Sequence, residues 1–410
     1  MHLAIDLSKE KGVSTFITTN YYITSTDGSE IRKRLFNETT PIALYNFNEL
    51  KLFSSALGQH NMITMFEKGI DTSKKVSTFY TIEKGQGTPA LLNNIFSKQS
   101  AKTEYYSLLS SDIYEGEERY IRTRGKSGGN NSLKFIFSAF KNLPKLGEIC
   151  YVKQGLRTGI DKISNTHINK FNYQGQKGEG VFIISQKEFF SLGYSECNEI
   201  IKPLYKNSDI TNYFSEDSTN QYLLYIDKDI SEEYLKNTFP TIYNHLLKYK
   251  ELILMIRGNN NENAKNWFRL DRSRESFIFK NQKICVPQRS RSNVFGLSFD
   301  DWYASADVYF IKTKDKSYNL KYLTAILNSK LYYLWFYYKG KRKGEMLELY
   351  QKPLSETPVI NSQNIEPFVN LVDYILFLKS NKNIFTHTDN NSISTHIESI
   401  VDMMVYELYF

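Results

Sequence analysis

The apolar runs of residues 1–70 fall in the order strand, helix, strand, strand, and that order limits the fold more than any other feature. Gly12-Val13-Ser14-Thr15-Phe16-Ile17 reads as a buried strand. Ser25, Thr26 and Asp27 are candidate N-caps for a helix carrying Ile31 and Leu35, whose spacing returns both side chains to one face. Pro41 to Phe47 and His60 to Phe66 are two further runs of strand length. So few elements bury too little surface to stand alone, so residues 1–70 read as the closing third of a larger α/β sheet.

Residues 71–145 hold Gly85, Gly87, Gly125, Gly128 and Gly129 among polar stretches and read as a connector with one or two helices. Gly85-Gln86-Gly87 follows no strand signal and is expected to be a loop. From Leu146 a mixed α+β region, 146–410, begins. Pro240 opens a helix whose apolar positions, Ile242, Leu246, Tyr249, Ile253 and Ile256, keep helical spacing until Gly258 stops it. Lys283 to Pro287 and Asp307 to Ile311 are short strands. Asn319 caps a second helix, with Leu320, Leu323, Leu327, Leu331, Leu334 and Tyr338 on one stripe and Gly340 closing it.

At 410 residues the chain has room for two or three domains. Aromatic residues make up 15%, too many for a disordered chain. The most apolar stretch, Leu320 to Tyr338, is interrupted by Asn328, Ser329 and Lys330, so no membrane span is expected. Met1 to Lys11 is charged and lacks the apolar core of a signal peptide. Cys150, Cys197 and Cys285 are scattered and odd in number, which indicates neither a zinc site nor a disulfide framework and fits a reducing cytoplasm. Residues 251–345 hold 18 Lys and Arg against 9 Asp and Glu, while the rest of the chain holds 34 against 35. One stretch therefore carries the whole net charge of +8, which is the footprint of a phosphate-backbone partner or else a solvated face.

Several of these segments, in order, resemble the TaqI-type (gamma-class) adenine-N6 DNA methyltransferases. Gly12 to Asn20, leading to Glu30-Ile31-Arg32-Lys33-Arg34-Leu35, resembles the strand and helix that follow the family's catalytic motif. Lys153-Gln154-Gly155-Leu156-Arg157-Thr158-Gly159 resembles the Gln-Gly-x-x-Thr-Gly turn that opens its target-recognition domain. Ile201 to Ile210, Lys283 to Pro287, Ser305 to Phe310, Ile326 to Leu331 and the ending Ile400 to Tyr409 fit its later segments. The resemblance implies the C-terminal portion of a Rossmann-like methyltransferase sheet followed by a mixed α+β target-recognition domain.

The resembled family also carries two motifs that this sequence lacks. The family binds S-adenosylmethionine at a glycine-bearing turn and holds its target adenine with an Asn-Pro-Pro-Tyr motif, and neither occurs here. Asn20-Tyr21-Tyr22 lacks the prolines. An adenine inside a duplex must be flipped out before it can react, and its amino group needs acceptors that localise the lone pair toward the methyl group. The expectation is therefore that this chain alone binds no S-adenosylmethionine and methylates nothing, the first half of the catalytic domain lying on another polypeptide or having been lost.

The resemblance makes Phe53 the aromatic that stacks on the flipped adenine, worth roughly 1–3 kcal/mol, where the residue pattern equally allows a core side chain. It makes Lys153, Gln154, Arg157 and Thr158 DNA contacts, against an ordinary turn. Arg269, Arg272, Arg274, Arg289 and Arg291 form the sharpest basic cluster, suited to forked contacts with guanine or phosphate, though each could form a surface ion pair; Trp267, Phe268, Phe277 and Phe279 among them read as core. Lys341, Arg342 and Lys343 follow a helix end and suit its C-terminus or a phosphate. Glu115, Glu117, Glu118 and Lys126 lack the strand context of a metal-dependent nuclease. The expected partner is double-stranded DNA, with a separate N-terminal catalytic chain. The alternatives are a non-enzymatic specificity subunit and a sequence-independent nucleic-acid-binding protein.

Overall fold

A computed structural model describes the chain except residues 56–58, 116–117, 125–130, 259–260, 316, 344 and 382–386. Gly125, Gly128, Gly129, Glu117, Lys126 and Gly344 thus lie outside the described residues. The chain divides into two compact units, Met1–Lys141 with Lys341–Leu347, and Asn142–Gly340 with Glu348–Phe410.

The first unit is built on a five-stranded mixed sheet ordered Val13–Thr19, Asn61–Lys68, Thr39–Asn46, Lys75–Thr81, Thr103–Leu109. Only the pairing of Thr39–Asn46 with Lys75–Thr81 is parallel. The expected connector, 71–145, is therefore corrected: its apolar runs supply two strands of this sheet. The Gly85–Gln86 segment is corrected too, since it follows a strand and pairs in parallel with Leu50–Lys51. Val13–Thr19 is an edge strand with alternating exposure, not a buried one. Periodicity reports a strand without reporting how many neighbours it has.

The helix Ser29–Glu38 buries Ile31 and Leu35 as their spacing requires, but its N-cap is Gly28, which makes no side-chain cap bond. Ser25 Oγ instead accepts from Gly28 N at 3.2 Å. Arg32 is fully buried on the same helix and donates to the carbonyls of Tyr22, Ser25 and Glu118 at 2.7, 2.6 and 2.9 Å.

The second unit holds two sheets around one large core. The first runs Cys150–Gln154, Val308–Thr313, Lys283–Pro287, Gly296–Ser298, Tyr213–Phe214, antiparallel except at its last pair. The second runs Ile183–Ser185, Gln221–Leu224, Ile201–Tyr205, Tyr303–Ala304. Lys283–Pro287 matches its predicted span. Both predicted long helices are broken. Residues 240–257 form Pro240–Leu247 and Lys250–Arg257, and residues 320–338 form Leu320–Asn328 and Lys330–Tyr338. At the second break Ser329 adopts an extended conformation and its Oγ accepts from Tyr332 N, so it caps a new helix instead of continuing the old one.

Candidate nucleic-acid interface

In the second unit, the turn Gln154 to Gly159 is fixed by backbone bonds on both sides. Gly155 N donates to Val308 O at 2.9 Å and Leu156 N to Ala304 O at 3.1 Å. A side chain at Gly155 would collide with the carbonyls of Ala304 and Ser305. Gly159 sits at φ +89, with the guanidinium of Arg257 where a Cβ would reach. The close approaches these glycines permit are thus to the protein's own groups.

From this anchored turn Arg157 pairs with Arg272 in an isolated antiparallel bridge. Arg157 N donates to Arg272 O at 3.0 Å and Arg272 N to Arg157 O at 2.9 Å. Both residues are exposed. The bridge joins the Gln154 to Gly159 turn to the basic segment, two features far apart in sequence.

Around the bridge the other predicted residues take distinct positions. Arg274 Nε donates to Gly155 O at 3.1 Å, and its Nη2 reaches Gln154 Oε1 at 3.5 Å. Gln154 Nε2 donates to Ala306 O at 2.7 Å, which also receives Gln288 Nε2 at 3.4 Å. This amide chain links the turn to the segment bearing Arg289 and Arg291. Arg269 donates to Ile230 O from Nε and Nη2 at 3.1 and 2.8 Å, and to Asn266 Oδ1 at 2.7 Å. Lys153 is half-buried on its strand and Arg291 is exposed.

Two expectations are revised. Thr158 is only 3% exposed and donates to Asp161, so its hydroxyl shapes the turn from inside. Arg289 is not an open cation: it pairs with Glu348 at 3.1 Å and donates to Tyr350 Oη at 2.6 Å. Trp267, Phe268 and Phe279 are core, as read; Phe277 is partly exposed and meets Tyr151 edge-on.

A cavity of about 390 Å³ opens beside Arg272. Lys228, Arg257, Arg269, Arg272 and Arg274 line it with the carboxylates of Glu262 and Asp271. Sequence reading missed Lys228 and Arg257. Arg257 precedes the glycine that ends its helix, and Lys228 lies in a loop distant in sequence, so no local pattern connects them. Arg257 Nη2 donates to Thr158 O at 2.8 Å, which ties the cavity wall to the same turn.

In the first unit, Phe53 is 45% exposed, so it is not the core residue its pattern allowed. Lys341–Lys343 follow the end of the helix Lys330–Tyr338 in the chain, as expected, and Arg342–Lys343 forms a short strand against Met346–Leu347. The Arg342 guanidinium lies over the Tyr80 ring and the Lys343 ammonium over Tyr21, each 5.4 Å from the centroid. Asn20 donates to Asn46 Oδ1 at 3.1 Å, and Tyr22 Oη shares a 2.6 Å bond with Thr64, so these groups serve the sheet. Glu118 lies 3.9 Å from buried Arg32. Among the described residues no group of His, Cys, Asp and Glu could hold a metal ion, and no helix is long and apolar enough to cross a membrane.

Residues 202–359 match the family model of the TaqI-like C-terminal specificity domain. Much of the chain is similar in sequence to Type II methyltransferases. It is 26% identical over 368 residues to Type II methyltransferase M.HindII of Haemophilus influenzae, covering 85% of this chain and 64% of that protein. To Type II methyltransferase M.MjaIV of Methanocaldococcus jannaschii it is 29% identical over 214 residues, 50% of this chain and 69% of the relative. The chain spans less than two thirds of the length of M.HindII. In fold it is similar to the Type IIL restriction–modification enzyme MmeI, solved in complex with DNA, with a TM-score of 0.59 and 12% identity over 99% of this chain and 48% of MmeI.

Proposed function

We propose that this chain recognises a specific duplex DNA sequence for a site-specific adenine-N6 DNA methyltransferase of a restriction–modification system. The Arg157–Arg272 bridge carries the reading. It sets two exposed guanidiniums on opposing backbone positions, one inside the matched span 202–359 and one ahead of it, joined to a turn that cannot shift without breaking several bonds. Forked donors on a rigid support are what base edges and phosphates require. The +9 excess of residues 251–345 supports a polyanionic partner.

Residues 1–410 hold neither the glycine-bearing turn nor the Asn-Pro-Pro-Tyr motif of the resembled family, so the part of the function assigned to them is recognition and not methyl transfer. Phe53, exposed in the first unit, is available to stack on the flipped adenine. The reading is tested by selection from a pool of random duplexes with the purified chain. One enriched site is expected, and retention without enrichment would favour sequence-independent binding instead.

A further inference from the structure

The cavity beside Arg272 holds five cationic side chains against two carboxylates. How its arginines are held matters more than their number. Arg269 and Arg274 are pinned by backbone carbonyls and side-chain amides. Among the described residues, none of Lys228, Arg157, Arg269, Arg272 and Arg274 forms an ion pair, whereas Arg289 nearby in sequence does. A carbonyl fixes a guanidinium without cancelling its charge; a carboxylate fixes it and cancels it. The cavity therefore keeps a largely preorganised positive charge that Glu262 and Asp271 offset only in part.

A second observation points the same way. Arg157 and Arg272 are directly opposed on an antiparallel bridge, the arrangement in which like charges repel across a ladder. An anion placed beside them would relieve that repulsion. Lys228 and Arg272 are exposed and remain able to move onto it.

We propose that this cavity takes one phosphodiester of the DNA backbone, with Arg269 and Arg274 as fixed walls and Arg272 and Lys228 as the groups that close on it. The proposal rests on the DNA-recognition reading above and deepens it. A phosphate seated here sets the register of the duplex and carries no sequence information itself, which leaves Arg157 to read base edges.

The test uses the full chain, a fluorescent duplex carrying the enriched site and a random-sequence duplex. Arg272→Ala is expected to weaken both by roughly tenfold, and to make the slope of log K against log salt shallower by about 0.9, the value for one released counterion. Lys228→Ala should act in the same direction. Scanning the site with single neutral methylphosphonates supplies the decisive arm. One position should weaken the wild-type protein but leave Arg272→Ala unaffected. If every methylphosphonate weakens both proteins equally, or Arg272→Ala loses only the enriched site with its salt slope intact, the phosphate assignment is wrong while DNA recognition stands. If the wild-type chain binds neither duplex, the functional reading itself falls. Unchanged thermal unfolding of Arg272→Ala, expected for an exposed side chain, separates these outcomes from misfolding.

Discussion

Arg157 and Arg272 exchange both of their backbone hydrogen bonds, at 3.0 and 2.9 Å, which places two like charges opposite one another with no described carboxylate paired to either. Such an opposed pair costs a few tenths of a kcal/mol up to about 1 kcal/mol. The arrangement is thus better suited to a bound state than to the free protein. Arg157→Gln should raise the unfolding free energy slightly in urea titrations while reducing affinity for the enriched duplex. A variant that lost stability as well as affinity would show that the guanidinium has a packing role instead.

Arg289 and Arg272 lie close in sequence and should respond to substitution in opposite ways. Glu348 is nearly buried, and Arg289 compensates its charge at 3.1 Å. Arg289→Ala should therefore destabilise the protein by about 1–2 kcal/mol. Arg272→Ala should leave stability within about 0.5 kcal/mol and change duplex binding. Denaturant midpoints and binding isotherms on the two variants check this directly. Equal stability losses would mean that Arg272, like Arg289, serves the fold and not a ligand.

What could be read from the sequence followed the range of the forces involved. Lys283–Pro287 was legible because a run of five buried residues between polar flanks leaves little choice. The helices were legible as helices but not as pairs, because Lys330–Tyr338 resumes an apolar stripe beyond the Ser329 break. The turn at Gln154 to Gly159 and the basic segment were each visible. Their union through Arg157 and Arg272 was not, since a bridge between distant segments leaves no local periodicity. The same holds for Lys228 and Arg257, which join the site only through the fold. Thr158 was misread because motif chemistry identifies a hydroxyl without saying which way it points.

Lys283 gives the fold a pH signature. Its side chain is buried and donates to Asn281 O at 2.8 Å, to Ser298 Oγ at 3.4 Å and to Asp300 O, with burial lowering its pKa to about 8. The unfolded chain holds that proton up to about 10.4, so between the two values the unfolded state binds more protons and stability rises with pH. Below pH 8 the full penalty applies, with a ceiling of roughly 3 kcal/mol. Comparing wild type with Lys283→Met between pH 8 and 9.5 isolates this contribution from buried tyrosines, which act at higher pH. The wild type should gain stability relative to the variant across that window. A flat difference would mean that the amine keeps its ordinary affinity for protons when buried.

Gly155 ties the stability of the fold to the placement of the site. A Cβ there meets the carbonyls of Ala304 and Ser305, and neither is free to retreat, because Ala304 O accepts from Leu156 N and Ser305 is bridged to Leu156. Gly155→Ala should therefore cost about 2–3 kcal/mol, at the upper end of ordinary overpacking. Gly178 is the control: its φ is +92 and a Cβ there meets nothing within 4 Å, so Gly178→Ala pays only backbone strain of about 1 kcal/mol. The two variants should also part in function, because a displaced turn carries Arg157 with it and loosens the bridge to Arg272. Duplex affinity should fall for Gly155→Ala at temperatures where the protein is still folded, and stay unchanged for Gly178→Ala. If both variants bind duplex equally well, the turn's rigid seating on Ala304 and Ser305 has no bearing on recognition.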